Sequence, residues 1–479
     1  MNQLLFERST GHIGPNVFAR LQTTKLLNSF RATPQFRFDG GERGTAIHQD
    51  EAGATGGPTL SSGIWAHQAG VNALAVERFD GRILVSGGAD ASVKLWDLEA
   101  CGNPSGGYTY KPVASVKRGE KGHKFGITFM SFYPFDAAAF LSTSYDQTLK
   151  LWSTETASVS GSFALGSKVY THAISPVADH LLVACGTQHP AVRLVDLRSG
   201  SSVQALAGHT NAVLATAWSP RHEHVLASGG VDGTVRIWDI RRAGGAIGML
   251  DKEDSLGLYY NGLLGTDGHV RTRLSAKAHS GPVNSLTWTD DGNYVVSAAH
   301  DRRIRVWDAA TGANTLASFG PSIKNSQLGS VTMFTSPAGL RHPRKELLFW
   351  PNETELVVFD LHDGQIVTKL RGIGPAMAGV RSANGSERTV QNRVTAIAWR
   401  GAGGGGQSSG AAMGGSNMAG AVFSSHLDGQ IRAWLPRLEG LDDEDDDTES
   451  SRANEDKAKK RKALDDVFKN LMGKQITFT

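Results

Sequence analysis

Between Thr234 and Asp239 the sequence TVRIWD, taken as an extended chain, sends Val235 and Ile237 to one face and Trp238 to the other. Apolar groups on both faces are the pattern of a strand covered on both sides, as in stacked sheets. The Asp232-Gly233 pair just before it is turn chemistry. The same device returns as Asp428-Gly429 and, with glutamine, as Asp146-Gln147. Short strands joined by tight turns are therefore predicted along much of the chain.

Self-alignment turns this local pattern into an architecture. Four segments match: His67 to Asp97, His123 to Ser153, His209 to Asp239 and His279 to Asp308. In the first three a serine follows the histidine by nineteen residues (Ser86, Ser142, Ser228), an aspartate by four more (Asp90, Asp146, Asp232) and a tryptophan by six more (Trp96, Trp152, Trp238). The fourth is one residue shorter, with Ser297, Asp301 and Trp307. Fixed His, Ser, Asp and Trp spacing is the signature of WD40 repeats, each a four-stranded propeller blade. Weaker copies end at Val195-Asp196, at Phe359-Asp360 and at Trp434 after Asp428. Seven repeats predict an all-β, seven-bladed WD40 β-propeller, closed so that no sheet edge is left open.

The repetition also decides against catalysis. A single His-Ser-Asp set suggests a hydrolase triad, but four copies at one spacing are a structural unit in which His, Ser and Trp satisfy one another inside each blade. His222 and His224, in SPRHEHVL, lack a cysteine or carboxylate set at metal spacing. No phosphate loop, nucleophile elbow or zinc motif occurs. The sequence predicts no enzyme, no metal and no cofactor.

Composition agrees with a turn-rich β protein: 57 glycines and ten tryptophans in 479 residues. Two cysteines, Cys101 and Cys185, exclude a disulfide framework and favour a reducing compartment. The first twenty residues carry charges where a signal peptide needs an apolar run, and no stretch approaches a membrane span, so a soluble intracellular protein with no membrane contact is expected. The net charge of +3 hides a local −9 over residues 439–456, which leaves +12 on the rest. That excess is spread thinly, and no direct sequence-specific nucleic-acid binding is expected from it.

The ends differ from the repeats. Residues 1–37 are predicted as an N-terminal helical docking segment. There Pro15 suits a first helical turn, followed by Val17, Phe18, Leu21, Leu26, Leu27 and Phe30 with the cations Arg20, Lys25 and Arg31. Two readings stand: a helix lying across the propeller, or one that docks a partner. Residues 38–61 form a low-complexity linker and 62–437 the propeller, with a glycine-rich insert at 401–420. Residues 438–479 form an acidic and basic tail. It contains DDEDDD (442–447), the nuclear-localisation candidate KKRK (459–462), and a short amphipathic helix over Leu464, Val467, Phe468, Leu471 and Met472, closed by Gly473. The stripe of that helix suits either the propeller surface or a partner groove.

Several stretches together resemble one family. GRILVSGGADASVKLWDLE, the long run from Ser201 to Gly245, TGANTLASFG and IRAWLP make residues 3–436 similar to the Cockayne syndrome group A family, with this chain as a fungal relative. Members of that family are WD40 substrate receptors of cullin-4 RING ubiquitin ligases. The resemblance implies a nuclear, non-catalytic subunit of transcription-coupled nucleotide excision repair. Its partners would be DNA damage-binding protein 1 as adaptor to cullin-4 and a RING subunit, and stalled RNA polymerase II with its repair factors. It also gives the arginines after the blades a role. Trp238-Asp239-Ile240-Arg241 matches the family's W-D-x-R docking sequence, and Val195-Asp196-Leu197-Arg198 keeps its Asp and Arg. Adaptor contacts are thereby implied for Arg241, Arg198 and Asp239, with Val17, Phe18, Arg20, Leu21 and Lys25 from the N-terminal segment. An arginine two positions past a strand-ending aspartate projects from a rim, where it can meet a partner or pair with its own aspartate. The alternative is a WD40 scaffold of another nuclear complex, in chromatin or RNA processing, without a ligase role.

Overall fold

The computed structural model describes residues 2–14, 17, 21, 27–41, 65–100, 107–200, 202–242, 246–257, 276–336, 346–371, 377–381, 387–390, 392–400 and 420–436. Within them seven antiparallel sheets form a ring, and the innermost strand of each lies beside that of the next, the last against the first. The chain is a seven-bladed WD40 propeller. Blade 1 comprises Val71–Val76, Ile83–Gly88, Val93–Asp97 and Pro112–Val116. Blade 2 is built from Ile127–Phe132, Ala139–Ser144, Thr148–Ser153 and Val159–Ala164, and blade 3 from Val169–Ile174, Leu182–Thr187, Ala191–Asp196 and Ser202–Ala207. Blade 4 consists of Val213–Trp218, Val225–Gly230, Val235–Asp239 and Ala246–Met249. Blade 5 has three strands, Val283–Trp288, Tyr294–Ala299 and Ile304–Asp308, with a single bridge from Trp307 to Asn314 outside them. Blade 6 runs Phe334–Thr335, Leu347–Asn352, Glu355–Asp360 and Ile366–Leu370, and blade 7 Val394–Trp399, Val422–His426 and Ile431–Pro436.

The ring closes with a strand from the other end of the chain. Phe30–Ala32 pairs antiparallel with Ile431–Pro436, Phe30 opposite Pro436 and Ala32 opposite Trp434, and so completes blade 7. The expected helix through Phe30 therefore stops short. Val17, Leu21, Leu27 and Asn28 are helical, but Phe30 is extended. The reason is local. An outer edge without a partner leaves backbone donors and acceptors unpaired. The Phe30 ring also fills a space against Phe349, 6.0 Å away and edge-on. Leu27 and Phe30 are buried between blades 6 and 7, whereas Val17 and Leu21 are exposed. A separate helix, Asn2–Ser9, precedes them. Downstream, Phe36–Phe38 pairs in parallel with Tyr108–Tyr110. The Phe38 ring stacks on Tyr110 at 4.9 Å and meets Trp96 edge-on at 5.2 Å, which ties this segment to the core of blade 1.

Strand register repeats around the ring. Trp96, Trp152, Val195, Trp238, Trp307, Phe359 and Trp434 each face one residue of the neighbouring inner strand: Leu84, Phe140, Val183, Leu226, Val295, Leu348 and Val422. The turn that follows needs one residue in the left-handed region. Ala91, Gln147, Gly233, Arg302 and Gly429 take it, each just after an aspartate. That aspartate accepts the N–H two residues on, at 2.9 to 3.1 Å, and so holds the turn even where the residue is not glycine. At Gly233 the requirement is absolute, because a Cβ would collide with the His279 carbonyl of the next blade.

Gly420 is described, but residues 401–419, the tail from 437 onward and residues 42–64 of the linker and blade entry lie outside the described residues. So do Cys101, Phe18, Arg20 and Lys25. No described helix is long and apolar enough to cross a membrane.

Candidate interaction site on the propeller rim

The four His, Ser, Asp and Trp sets form closed relays. In blade 4 the Trp238 Nε1–H donates to Ser228 Oγ at 2.7 Å, and Ser228 Oγ lies 2.7 Å from His209 Nε2. His209 Nδ1 faces Asp232 at 3.1 Å, and Asp232 also accepts from the Thr234 hydroxyl at 2.8 Å. Blade 2 repeats the chain through Trp152, Ser142, His123 and Asp146 at 2.7, 2.6 and 2.8 Å, and blade 5 through Trp307, Ser297, His279 and Asp301 at 2.8, 2.8 and 3.1 Å. Blade 1 inserts a hydroxyl. His67 bonds Ser86 and Ser92, both at 2.7 Å, and Ser92 donates to Asp90, which stands 3.5 Å from the imidazole.

These relays cannot act as hydrolase triads. Each serine Oγ is fully buried, accepts from an indole N–H and sends its own proton toward the histidine, so no substrate carbonyl can reach it. Burial works to raise the pKa of Asp90, Asp146, Asp232 and Asp301. At Asp90 and Asp146 the imidazole and a hydroxyl outweigh it, at Asp232 the imidazole and backbone N–H groups, and at Asp301 the imidazole and the Arg305 guanidinium, so that all four carboxylates lie well below their usual range. The four sets are therefore structural, and the described residues contain no group of three or more metal-ligating side chains.

Blade 7 holds a relay that sequence spacing missed. Trp434 donates to Ser424 at 2.7 Å, and Ser424 pairs at 2.8 Å with His426 on its own strand. Asn392, two residues before the first strand of the blade, donates to Asp428 at 2.7 Å, where other blades bond the aspartate to a histidine. Counting ten residues back from the tryptophan would have found Ser424, and the same count from Val195 lands on Cys185. Burial pushes the Cys185 thiol up, well out of its reactive range.

The rim residues are arranged differently. Asp239 ends its strand almost fully buried and grips Arg241 three times: it accepts the backbone N–H at 3.0 Å, Nε at 3.0 Å and Nη2 at 2.8 Å. The Arg241 bonds hold Asp239 below its usual pKa and raise that of Arg241 in turn. Arg241 nonetheless stays about two-thirds exposed along its side chain. Arg242 lies looser, with Nε 3.9 Å from Asp239. The loop between the first two strands of blade 4 faces this pair. Ser219 Oγ accepts the N–H groups of Arg221 and His222, at 3.3 and 3.1 Å, and turns both side chains outward. Together these residues wall a cleft of about 440 Å³ that Val177 of blade 3 and Ile247 complete. Beside it the His180 and His224 rings stack 5.7 Å apart, with His180 resting on Trp218 at 5.0 Å. Arg198 does not join. Its N–H caps Asp196 at 2.9 Å and its side chain points to solvent one blade away. Nor do Val17 and Leu21, which are exposed elsewhere on the N-terminal segment.

Four stretches, residues 59–97, 112–153, 200–239 and 267–308, match the family model described as WD domain, G-beta repeat. They are the repeats of blades 1, 2, 4 and 5. Among curated proteins, WD repeat-containing protein ATCSA-1 of Arabidopsis thaliana is 32% identical over 366 residues, covering 64% of this chain and 79% of that protein. Ribosome biogenesis protein ytm1 of Emericella nidulans is 28% identical over 272 residues, 51% of this chain and 53% of that protein. Its namesake in Phaeosphaeria nodorum is 29% identical over 282 residues, 52% and 56% of the two chains. This chain thus spans about half the length of these two ribosome biogenesis relatives.

Those descriptions correct the expectation drawn from the Cockayne syndrome group A resemblance. Ribosome biogenesis recurs among the relatives' names, and the cullin-4 receptor role falls with that finding. With it go the DNA damage-binding adaptor, the RING subunit, stalled RNA polymerase II and transcription-coupled repair. The physical reason is visible in the residues that carried the resemblance. Trp238 and Asp239 are blade interior, and Arg241 is bonded to its own Asp239. Such residues specify a propeller, not the partner it meets.

Proposed function

We propose, for a chain that belongs to the family of the WD repeat-containing protein ATCSA-1, that it is a non-catalytic scaffold of a nuclear complex working in RNA processing, in ribosome biogenesis. The recurrence of that description among the relatives carries this reading. The geometry agrees with it. The blade polar groups face inward, while the rim of blade 4 and the N-terminal helical residues present exposed cations and apolar side chains. The docking role assigned to Arg241, Arg198, Val17 and Leu21 belongs to this proposal as contacts with assembly factors.

Sedimentation of a cell extract containing the tagged full-length protein tests it. The protein should travel with precursor ribosomal particles, and its depletion should accumulate unprocessed ribosomal RNA. Recovery with a ubiquitin ligase, and ribosomal RNA processed normally after depletion, would overturn it.

A further inference from the structure

We propose that the blade 4 rim cleft is a binding site for single-stranded RNA, with the arginines holding the phosphodiester backbone and the stacked histidines receiving a base. The inference rests on the RNA-processing reading and names the ligand class for one site on the scaffold. Three guanidinium groups meet here from two loops of blade 4: Arg221 from one, Arg241 and Arg242 from the other. Two carboxylates oppose them, and both are engaged. Asp239 is buried under Arg241, and Glu223 pairs with His224 Nε2 at 2.9 Å.

Arg241 has five N–H donors, and Asp239 takes two of them through Nε and Nη2. The clamp fixes the guanidinium plane and leaves the remaining donors turned outward. A pre-oriented fork of this kind suits phosphate oxygens. Arg221 is steadied from the other side, donating to the Asn293 side chain at 3.2 Å across the boundary with blade 5.

The imidazole pair makes nucleic acid a better fit than an acidic peptide. His180 donates to the Glu223 carbonyl at 3.0 Å, which locks its ring against His224, 20° from parallel, with Trp218 behind. A carboxylate-rich peptide has no use for a flat, supported ring beside the cations. An unstacked base does, and a paired duplex cannot offer one. The cleft volume of about 440 Å³ falls in the range of small-ligand clefts. No hydrogen-bond pattern here reads a particular base, so the binding is sequence-tolerant.

The test is fluorescence anisotropy of a short labelled RNA of mixed sequence with the purified full-length protein, across a salt series. Arg221→Glu and Arg242→Glu should each weaken binding by ~10-fold or more and flatten the salt dependence by about one phosphate contact. His180→Ala should weaken single-stranded RNA while leaving the weak binding of duplex DNA unchanged. All three variants should melt like the wild type, since none belongs to a blade relay. Absence of RNA binding, unchanged binding in the arginine variants, or equal competition by poly-glutamate would overturn the site. Each of those outcomes can occur while the protein still travels with precursor ribosomal particles, so this site can fail while the scaffold role stands.

Discussion

Blades 4 and 6 solve one packing problem with opposite chemistry. In blade 4 Trp238 lies opposite Leu226, and two residues further along that strand Ser228 receives the indole N–H. In blade 6 Phe359 lies opposite Leu348, and the position two further on is Trp350. The large ring has moved onto the partner strand, and Phe359 has no N–H to satisfy. Phe319 closes the space edge-on at 5.4 Å, and the Trp350 Nε1 is buried without a hydrogen-bond partner. Both blades keep the same strand order and register. A polar relay is therefore one way to fill a blade, and its benefit is direction: each donor must meet one acceptor, which fixes rotamers that apolar packing leaves freer.

The contrast breaks most visibly at the aromatic position. Trp238→Ala should cost ~3–5 kcal/mol through a cavity and the loss of the indole donor to Ser228, whereas Phe359→Leu should cost less than about 1.5 kcal/mol. Denaturant titration of the two variants decides it, and equal losses would mean that the relay adds nothing specific. One step smaller, Ser228→Ala leaves both His209 Nε2 and Trp238 Nε1 buried without a partner, for about 2–3 kcal/mol. Trp350→Phe removes a donor that has no partner and should be neutral or slightly stabilising in the same titration.

Acid sharpens the comparison next. The relay carboxylates are held below their unfolded pKa, so their contribution is fully present above that value. It is lost as pH falls below about 4 toward the folded value, at no more than ~1.4 kcal/mol per pH unit for each. Asp232→Asn should therefore show a shallower loss between pH 4 and pH 2.5 than the wild type. His172 works over a higher range. Burial lowers its pKa to about 3, so the unfolded chain takes up a proton first and stability declines from about pH 6.5 downward. His172→Gln should flatten that part of the curve. The smallest effect belongs to the rim: Arg241→Ala removes a largely exposed guanidinium while the buried Asp239 keeps its backbone N–H donor, and the variant should melt about a few degrees below the wild type.

Much of this was legible in the chain. The spacing of His209, Ser228, Asp232 and Trp238, repeated in three other segments with one loop a residue shorter, locates residues that the fold places in contact, because the stretch from serine to tryptophan has one length in those blades. The signal faded where one partner changed. Blade 7 draws its histidine from Ser424's own strand, blade 3 puts Cys185 at the serine position, and blade 6 exchanges serine for Trp350. Apolar periodicity through Leu27 and Phe30 read as helix, yet the second residue closes the ring as a strand. Its pairing partner lies some four hundred residues away, beyond the reach of any local pattern.

By itself the sequence determined the repeat, the strand and turn chemistry within each repeat, and the structural role of the His, Ser and Asp sets that fourfold repetition implies. These follow from contacts between residues close together in the chain. Only the tertiary structure decided what Arg241 is bonded to and what it stands beside. Asp239, two residues away, takes its inner donors, while Arg221 and His224 from another loop and Val177 from blade 3 line the same cleft. A rim site is a meeting of turns, and turns meet only once the strands between them have packed.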